Sequence, residues 1–459
     1  MNTVGIIGGG PAGYVAAIAA ARRGQRVILI EEKQLGGTCL NEGCIPTKSL
    51  LESAETYEKV KRAALFGIDL PEAEVAVNWN GVQDYKRQVM KKLVQGVGYL
   101  MKKNQIEVIQ GKASFRSDRL LQVEKQDGEV QIEADRVIIA AGSEPIQLPF
   151  APFDGEWVIH SGHAMSLPEV PASLLIVGGG VIGCEFASIY SRLGTKVTIV
   201  EMAEHILPGE DPDIAAVLQK QLAAFGVTIY TQAALQELQT ETKTAFVQNG
   251  DGVEEIRAEY VLVSVGRKPR LQELGLDRIG VQYDRHGIQV NDSMQTSIPH
   301  IYACGDVVGG VQLAHVAFHE GETAALHASG IDRKVSYHAV PRCIYTWPEV
   351  AGVGLTERQA RDQYGEIQIG EFSFSANGKA LILHEAIGKV KVIVEPVYQQ
   401  IVGMTIVGPR ATELIGQGSV MLHTELTADT MEGFIAAHPT LSEAVWEALQ
   451  NAIVQALHG

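Results

Sequence analysis

Two cysteines with four residues between them are the part of this chain best suited to chemistry. They lie in Gly36-Gly37-Thr38-Cys39-Leu40-Asn41-Glu42-Gly43-Cys44-Ile45-Pro46-Thr47-Lys48-Ser49, a glycine-rich lead into what reads as a helix. Pro46 suits the first turn of that helix, where its missing N–H costs nothing. A thiol beside a helix N-terminus meets the positive end of the dipole, which favours its thiolate. Gly36, Gly37 and Gly43 let the backbone bend enough to bring the two Cα atoms within disulfide range. The pair reads as a redox-active dithiol. Two buried small cysteines, or half of a zinc site, are the other readings of the same residues. Zinc wants a second Cys/His pair at short spacing, and none follows, so no metal is expected.

A dithiol that exchanges electrons needs an electron carrier held nearby, and the elements around it fit one. Val4 to Ile7 is a short apolar strand that runs into Gly8-x-Gly10-x-x-Gly13 and then an Ala-rich helix, Tyr14 to Arg23. Gly24 ends the helix, and a second strand, Arg26 to Ile30, ends at Glu31. Strand, glycine turn, helix, strand and acid form the dinucleotide fingerprint. The first glycine makes the turn, the second lets backbone approach a pyrophosphate, and the third lets helix pack on strand. The helix N-terminus holds the phosphates, and Glu31 can accept from ribose hydroxyls.

The same pattern returns 170 residues later. Gly8, Gly10, Gly13, Gly24 and Glu31 map onto Gly178, Gly180, Gly183, Gly194 and Glu201 at that one offset. Two dinucleotide sites imply two nucleotides with electron transfer between them. A flavin can exchange electrons with both a nicotinamide and a disulfide. FAD on the first motif, beside the cysteines, and a nicotinamide on the second is the economical assignment. A carboxylate at Glu201 hydrogen-bonds a 2′-hydroxyl and repels a 2′-phosphate. Met202, Ala203, Glu204 and His205 supply no arginine, so NAD is expected rather than NADP.

With 459 residues the chain is too long for one core, and about three domains are expected. Lys and Arg number 38 against 54 Asp and Glu, a net charge of −16 that argues against nucleic acid and anionic membrane as partners. No apolar run reaches the roughly 18 residues a spanning helix needs, and no leader pattern opens the chain. A cytoplasmic protein is expected, and five cysteines there do not make a structural disulfide framework.

Between the motifs, Glu52 to Arg62 and Val82 to Lys103 show helical spacing, with Lys91, Lys92, Lys102 and Lys103 as a solvated face. Strand-like pieces follow at Ile106–Val108, Leu120–Val123 and Val137–Ala140, and residues 146–170 read as a linker. The second dinucleotide region runs to about Val265, and Gly266-Arg267-Lys268-Pro269 marks a return crossing. Asp306 ends the strand-like Ile301-Tyr302-Ala303-Cys304-Gly305; it can bind the ribityl hydroxyls of a flavin or cap the next helix. Residues from about 337 alternate as strands and end Leu/Ala-rich, a candidate dimer interface without a nucleotide motif. Near the end, His438 and Glu443 flank Pro439. Thiol chemistry needs a base, imidazole has the right pKa range, and a carboxylate can hold its tautomer, so these two could be that pair.

Taken together, these motifs resemble the dihydrolipoamide dehydrogenases, the E3 components of 2-oxo-acid and related dehydrogenase complexes, within the pyridine nucleotide-disulfide oxidoreductases. The residues that carry the resemblance are the two glycine motifs, Gly37-Thr-Cys39 through Cys44-Ile-Pro-Thr-Lys48, Glu185, Cys304-Gly305-Asp306 and His438-Pro-Thr-Leu-Ser-Glu443, and it covers essentially the whole chain. It implies an α/β fold of two Rossmann-like domains plus a C-terminal α+β dimerisation domain. FAD would occupy residues 1–145 and 267–336, NAD residues 146–266, and the interface residues 337–459. It also implies roles. Cys39 would be the interchange thiol and Cys44 the thiol at the flavin. Lys48 would lie by flavin N5 and pair with Glu185. His438, oriented by Glu443, would act as base across a homodimer, making an isolated monomer inactive. Gly8, Gly10, Gly13, Glu31, Lys48, Ala113, Gly142, Ser143, Asp306, Ala314 and His315 would line the FAD site. Gly178, Gly180, Gly183, Glu201 and Gly266 would contact NAD. Cys184, Cys304 and Cys343 read as structural.

The implied reaction is oxidation of protein-bound dihydrolipoyl groups with NAD as acceptor, in partnership with a lipoyl-bearing E2 acyltransferase. Some relatives carry a lipoyl domain of their own; this chain opens on its dinucleotide strand, so lipoate is expected from a separate protein. Gln147 to Asp154 is similar to the E3 proteins of acetoin-cleaving systems. A glutathione- or mercuric-reductase-like activity is the enzymatic rival; Glu201 and the lack of a C-terminal cysteine pair count against it. A docking role in a larger assembly is the non-enzymatic alternative, additional to catalysis.

Overall fold

A computed structural model describes residues 2–70, 75–250 and 252–453. Its helices in chain order are α1 (Pro11–Arg22), α2 (Gly37–Asn41), α3 (Cys44–Lys61), α4 (Trp79–Lys103), α5 (Ser161–Ala164), α6 (Val181–Arg192), α7 (Pro212–Ala224), α8 (Leu276–Ile279), α9 (Ala314–Ala328), α10 (Glu357–Tyr364), α11 (Gly378–Leu383), α12 (Ala411–His423) and α13 (Glu443–Ile453). α3 starts at Cys44, eight residues before the periodic stretch that the sequence marks out. Pro46 is tolerated because it falls in the first turn, whose N–H groups have no intrahelical acceptor.

The chain forms two compact units. The first comprises residues 1–49, 80–146 and 266–336. Its main sheet is five parallel strands in the order Ile301–Ala303, Arg136–Ile139, Thr3–Ile7, Arg26–Glu31, Glu107–Gln110. Alternate residues go to opposite faces. Val4, Ile6, Leu29 and Ile138 pack with the small residues Ala12, Ala16 and Ala20 of α1 and with Ala317, Ala324 and Ala328 of α9. Ile7, Ile28, Ile30, Val137 and Ile139 pack on the other face with Phe115, Leu121 and Val123 of a three-stranded antiparallel sheet. Both faces are covered, which is why the central strands read as nearly continuous apolar runs. α1 and α9 approach so closely that a Cβ on Gly321 would stand 2.2 Å from the Ala12 carbonyl oxygen.

The second unit comprises residues 50–79, 147–265 and 337–459. It repeats the five-stranded parallel arrangement, in the order Thr228–Tyr230, Lys196–Val200, Ser173–Val177, Tyr260–Val263, Val158–Ile159. Residues 146–170 are therefore not simply a linker. Val158 and Ile159 pair with Val261 and Leu262 as the edge strand, and buried Trp157 donates to the Ala258 carbonyl at 3.0 Å. A two-residue strand is too short to show periodicity in sequence. The C-terminal region adds an antiparallel sheet, Arg342–Ile344, Glu349–Gly354, Ile401–Gly408, Lys389–Val394, Gln368–Ser373, whose Val392, Met404 and Ile406 share a core with Leu414 and Ile415 of α12 and Val445 and Leu449 of α13.

Candidate active site

The two glycine loops have the same build. Gly8 has φ +101°, and a Cβ on it would lie 2.2 Å from the Ala140 carbonyl oxygen; one on Gly13 would lie 1.8 Å from the Gly8 oxygen. In the second loop Gly178 has φ +105°, with a Cβ position 2.6 Å from the Ser264 oxygen, and Gly183 would place one 2.0 Å from the Gly178 oxygen. No side chain fits at these four positions. Gly10 and Gly180 differ. Each caps its helix in an extended conformation, and a Cβ on Gly10 would meet only the Gly37 Cα at 3.7 Å, one on Gly180 nothing within 4 Å. Open space in front of unpaired helix N–H groups suits a pyrophosphate. The acids close each loop alike. Glu31, 8% exposed, accepts from Gly9 N at 2.6 Å and Lys33 N at 2.7 Å. Glu201 accepts from Gly179 N at 2.6 Å and Ala203 N at 2.8 Å. Gly266 has φ +117°.

The cysteine segment is docked onto the first loop. Gly36 N donates to the Gly9 oxygen at 2.8 Å, and a Cβ on Gly37 would stand 2.6 Å from the Gly10 Cα. Gly36 (φ +93°) and Gly37 (φ +54°) take the left-handed region that starts α2, on which Cys39 sits; Gly43 does not. Asn41 Nδ2 clamps the turn by donating to the carbonyls of Leu35 at 3.2 Å and Gly37 at 2.9 Å. Cys44 is the first residue of α3, and both its side chain and its backbone N–H hydrogen-bond the Cys39 sulfur. The Cys39 thiol is pushed well up. The bond to the Cys44 side chain raises it most, then burial, then the negative charge of Cys44; Lys48 and the Cys44 N–H pull the other way. Two adjacent sulfurs resist ionising together, so a negative charge on one holds the other thiol up. Among the described residues no group of three or more His, Cys, Asp and Glu is placed to hold a metal ion.

Sequence reasoning missed Tyr14. Its ring lies 5.9 Å from that of Phe318, and burial followed by the charge of Cys39 pushes its hydroxyl up to about 12. Nothing in the motif spacing singles it out.

Asp306 sits on a short 3-10 turn, Gly305–Val308, where it accepts from the Ser143 hydroxyl. It caps no helix: the N-cap of α9 is Leu313. Ser143 lies beside Gly142 (φ +75°), and Arg267, also missed, donates to its hydroxyl at 2.8 Å and its carbonyl at 2.9 Å. Ala314 and His315 open α9. Ala113 is buried in the strand Lys112–Ser117.

In the second unit, His438 Nδ1 lies 2.8 Å from Glu443 Oε1 across the cis His438–Pro439 peptide. Glu443 begins α13 and also accepts from Thr440 N at 2.7 Å, while Asn377 Nδ2 donates to the Thr440 carbonyl at 3.0 Å. The His438 side chain is 78% exposed, so its outer nitrogen is presented to solvent by its own chain. Glu185 on α6 is 3% exposed and accepts from Tyr345 N at 3.1 Å. Cys184 and Cys304 are fully buried, and burial pushes both thiols up, as suits structural cysteines.

Residues 2–321 match the sequence pattern of the pyridine nucleotide-disulphide oxidoreductases, and residues 340–449 match that family's dimerisation domain. The chain belongs to this family. As a pyridine nucleotide-disulphide oxidoreductase it works with FAD and NAD and assembles as a homodimer. It is 57% identical over 456 residues to a dihydrolipoyl dehydrogenase of Bacillus subtilis, covering 99% of this chain and 100% of that one. It is 39% identical to that of Geobacillus stearothermophilus, over 99% of this chain and 96% of the relative. The crystal structure of LpdA from Mycobacterium tuberculosis superimposes with a TM-score of 0.90 at 27% identity, over 98% of this chain and 99% of that one. Among the described residues no helix is long and apolar enough to cross a membrane.

Proposed function

We propose that this pyridine nucleotide-disulphide oxidoreductase oxidises protein-bound dihydrolipoyl groups to lipoyl groups and reduces NAD to NADH, as the E3 subunit of a 2-oxo-acid or acetoin dehydrogenase complex in the cytoplasm. The observation that carries the reading is the Cys39 sulfur, hydrogen-bonded by Cys44 at the start of α3 and docked on the first glycine loop. The relatives named dihydrolipoyl dehydrogenase match over nearly the full chain, which supports the substrate class.

The chain's own residues do the thiol chemistry. His438, held by Glu443, takes a proton from one dihydrolipoyl thiol. The thiolate attacks Cys39 of the Cys39–Cys44 disulfide, forming a mixed disulfide and releasing Cys44 as a thiolate. The second substrate thiol then attacks the substrate sulfur of that mixed disulfide, the lipoyl ring closes, and Cys39 leaves with a proton. Two electrons have moved from substrate to the cysteine pair. Bound FAD supplies the two-electron relay between this pair and NAD. Gly8, Gly10, Gly13, Glu31, Lys48, Ala113, Gly142, Ser143, Asp306, Ala314 and His315 are the residues proposed to hold FAD, and Gly178, Gly180, Gly183, Glu201 and Gly266 those for NAD, with Glu185 a further charged group of the reaction. The division into an FAD part (1–145 and 267–336), an NAD part (146–266) and an interface part (337–459) is part of the same proposal, as is an E2 acyltransferase as the lipoyl-bearing partner.

The test is the visible spectrum of the purified protein. A flavin spectrum that gains a long-wavelength band on adding dihydrolipoamide supports flavin, dithiol and substrate together; bleaching without that band, or no change, overturns the reading. Faster turnover with NADPH than with NADH would favour the reductase rival.

A further inference from the structure

Arg267 belongs to no motif that the sequence marks for chemistry, yet its side chain has one clear task. The strand Arg267–Pro269 runs antiparallel to Ser143–Pro145, and Ile146 N donates to the Gly266 carbonyl at 3.0 Å, so the two segments are locked in register. From that strand the guanidinium reaches Ser143 twice, Nε to the hydroxyl oxygen at 2.8 Å and a terminal nitrogen to the carbonyl at 2.9 Å. Two donors on one residue fix its rotamer and its backbone together. With its lone pair engaged by Arg267, the Ser143 hydroxyl proton points at Asp306 Oδ2. The turn that carries Asp306 is gripped from behind as well: Gly305 N donates to the buried Glu320 carboxylate at 2.6 Å.

Such a mostly buried guanidinium needs compensation. Burial lowers its pKa; Asp306, then Glu42 and Cys44, draw it back up, and Arg270 opposes them.

We propose that Arg267 is the positioning residue of the flavin site: through Ser143 it holds Asp306 ready for FAD. The proposal rests on the dihydrolipoyl dehydrogenase reading. A lysine keeps the charge and loses the fork, so it separates the clamp on Ser143 from a mere positive charge.

The experiment uses full-length dimer carrying Arg267→Met, Arg267→Lys or Ser143→Ala. It reads the FAD dissociation constant by recovery of flavin fluorescence, with the long-wavelength band of the dithiol-reduced wild-type enzyme as control. Arg267→Met should weaken FAD about tenfold or more. Arg267→Lys should recover only part of the FAD affinity. Ser143→Ala should weaken FAD as well. Wild-type FAD affinity in Arg267→Met overturns the proposal. Should that variant not fold, wild-type FAD affinity in both Arg267→Lys and Ser143→Ala overturns it equally. A band missing from the wild-type enzyme sinks the dihydrolipoyl reading instead, so the two failures are distinguishable.

Discussion

Replacing Gly180 by alanine should leave the protein folded and cost it its nicotinamide nucleotide. Gly180 is the N-cap of α6 with φ −73° and ψ −168°, a conformation alanine adopts freely, and its Cβ would have no protein atom within 4 Å. Alanine is a poorer N-cap than glycine, but it also removes freedom from the unfolded chain; these terms oppose each other, so folding stability should change by less than about 1 kcal/mol. The new methyl group would instead occupy the space where a pyrophosphate meets the start of α6. Displacing the phosphate from even one charge-assisted N–H bond removes about 1.5–3 kcal/mol, which is roughly a tenfold to 150-fold rise in the NADH dissociation constant. Gly183→Ala is the contrasting control. Its Cβ would lie 2.0 Å from the Gly178 carbonyl oxygen, so backbone must move, at about 1–3 kcal/mol or more whether or not nucleotide is present. NADH titration by fluorescence and calorimetric melting of the FAD-loaded protein separate the two. Unchanged NADH affinity in Gly180→Ala, or a melting loss equal to that of Gly183→Ala, refutes the account of the loop.

His438→Gln should lower dihydrolipoamide turnover by a factor of about a hundred or more while leaving NADH oxidation by an artificial acceptor intact; wild-type turnover in steady-state assays removes His438 from the mechanism. Lys391, 2% exposed, lies 2.8 Å from Asp213, 3.1 Å from Glu357 and 3.5 Å from Asp211. Lys391→Met leaves the buried Asp211 and the partly exposed Asp213 and Glu357 without their shared cation and should destabilise by about 1–3 kcal/mol, read as a lower melting temperature at pH 7. Burial works to raise the carboxyls of Asp213 and Glu357, but hydrogen bonds from Lys389 and Lys391 to the first, and from Arg361 and Lys391 to the second, hold both below the ordinary range. The unfolded chain then takes up protons first as the pH falls, so wild-type stability should drop from about pH 4 downward. A melting profile from pH 3 to 7 checks this, and the acid-side loss should be smaller in Lys391→Met.

Much of the site is legible in the sequence because its constraints are local. A glycine that must turn into left-handed backbone, one that must let a helix meet a strand, and an acid at the end of the next strand are all set by residues close along the chain. That is why Gly8, Gly13 and Glu31 can be read twice, once at each end of the 170-residue offset. His438 and Glu443 are similar, since a turn of five residues is enough to join them. Reading failed where a segment was too short to show a period, as at Val158–Ile159.

The sequence by itself determined two nucleotide loops, the cysteine pair beside the first, and the parallel α/β build that glycine geometry and apolar strands require. Only the tertiary structure decided that Arg267 grips Ser143 across 124 residues, that Tyr14 feels the charge of Cys39, and that the Cys39 thiol is raised. Steric rules for a turn act within a few residues, whereas burial, charge and a shared proton depend on which distant side chains the fold brings within a few ångströms of each other.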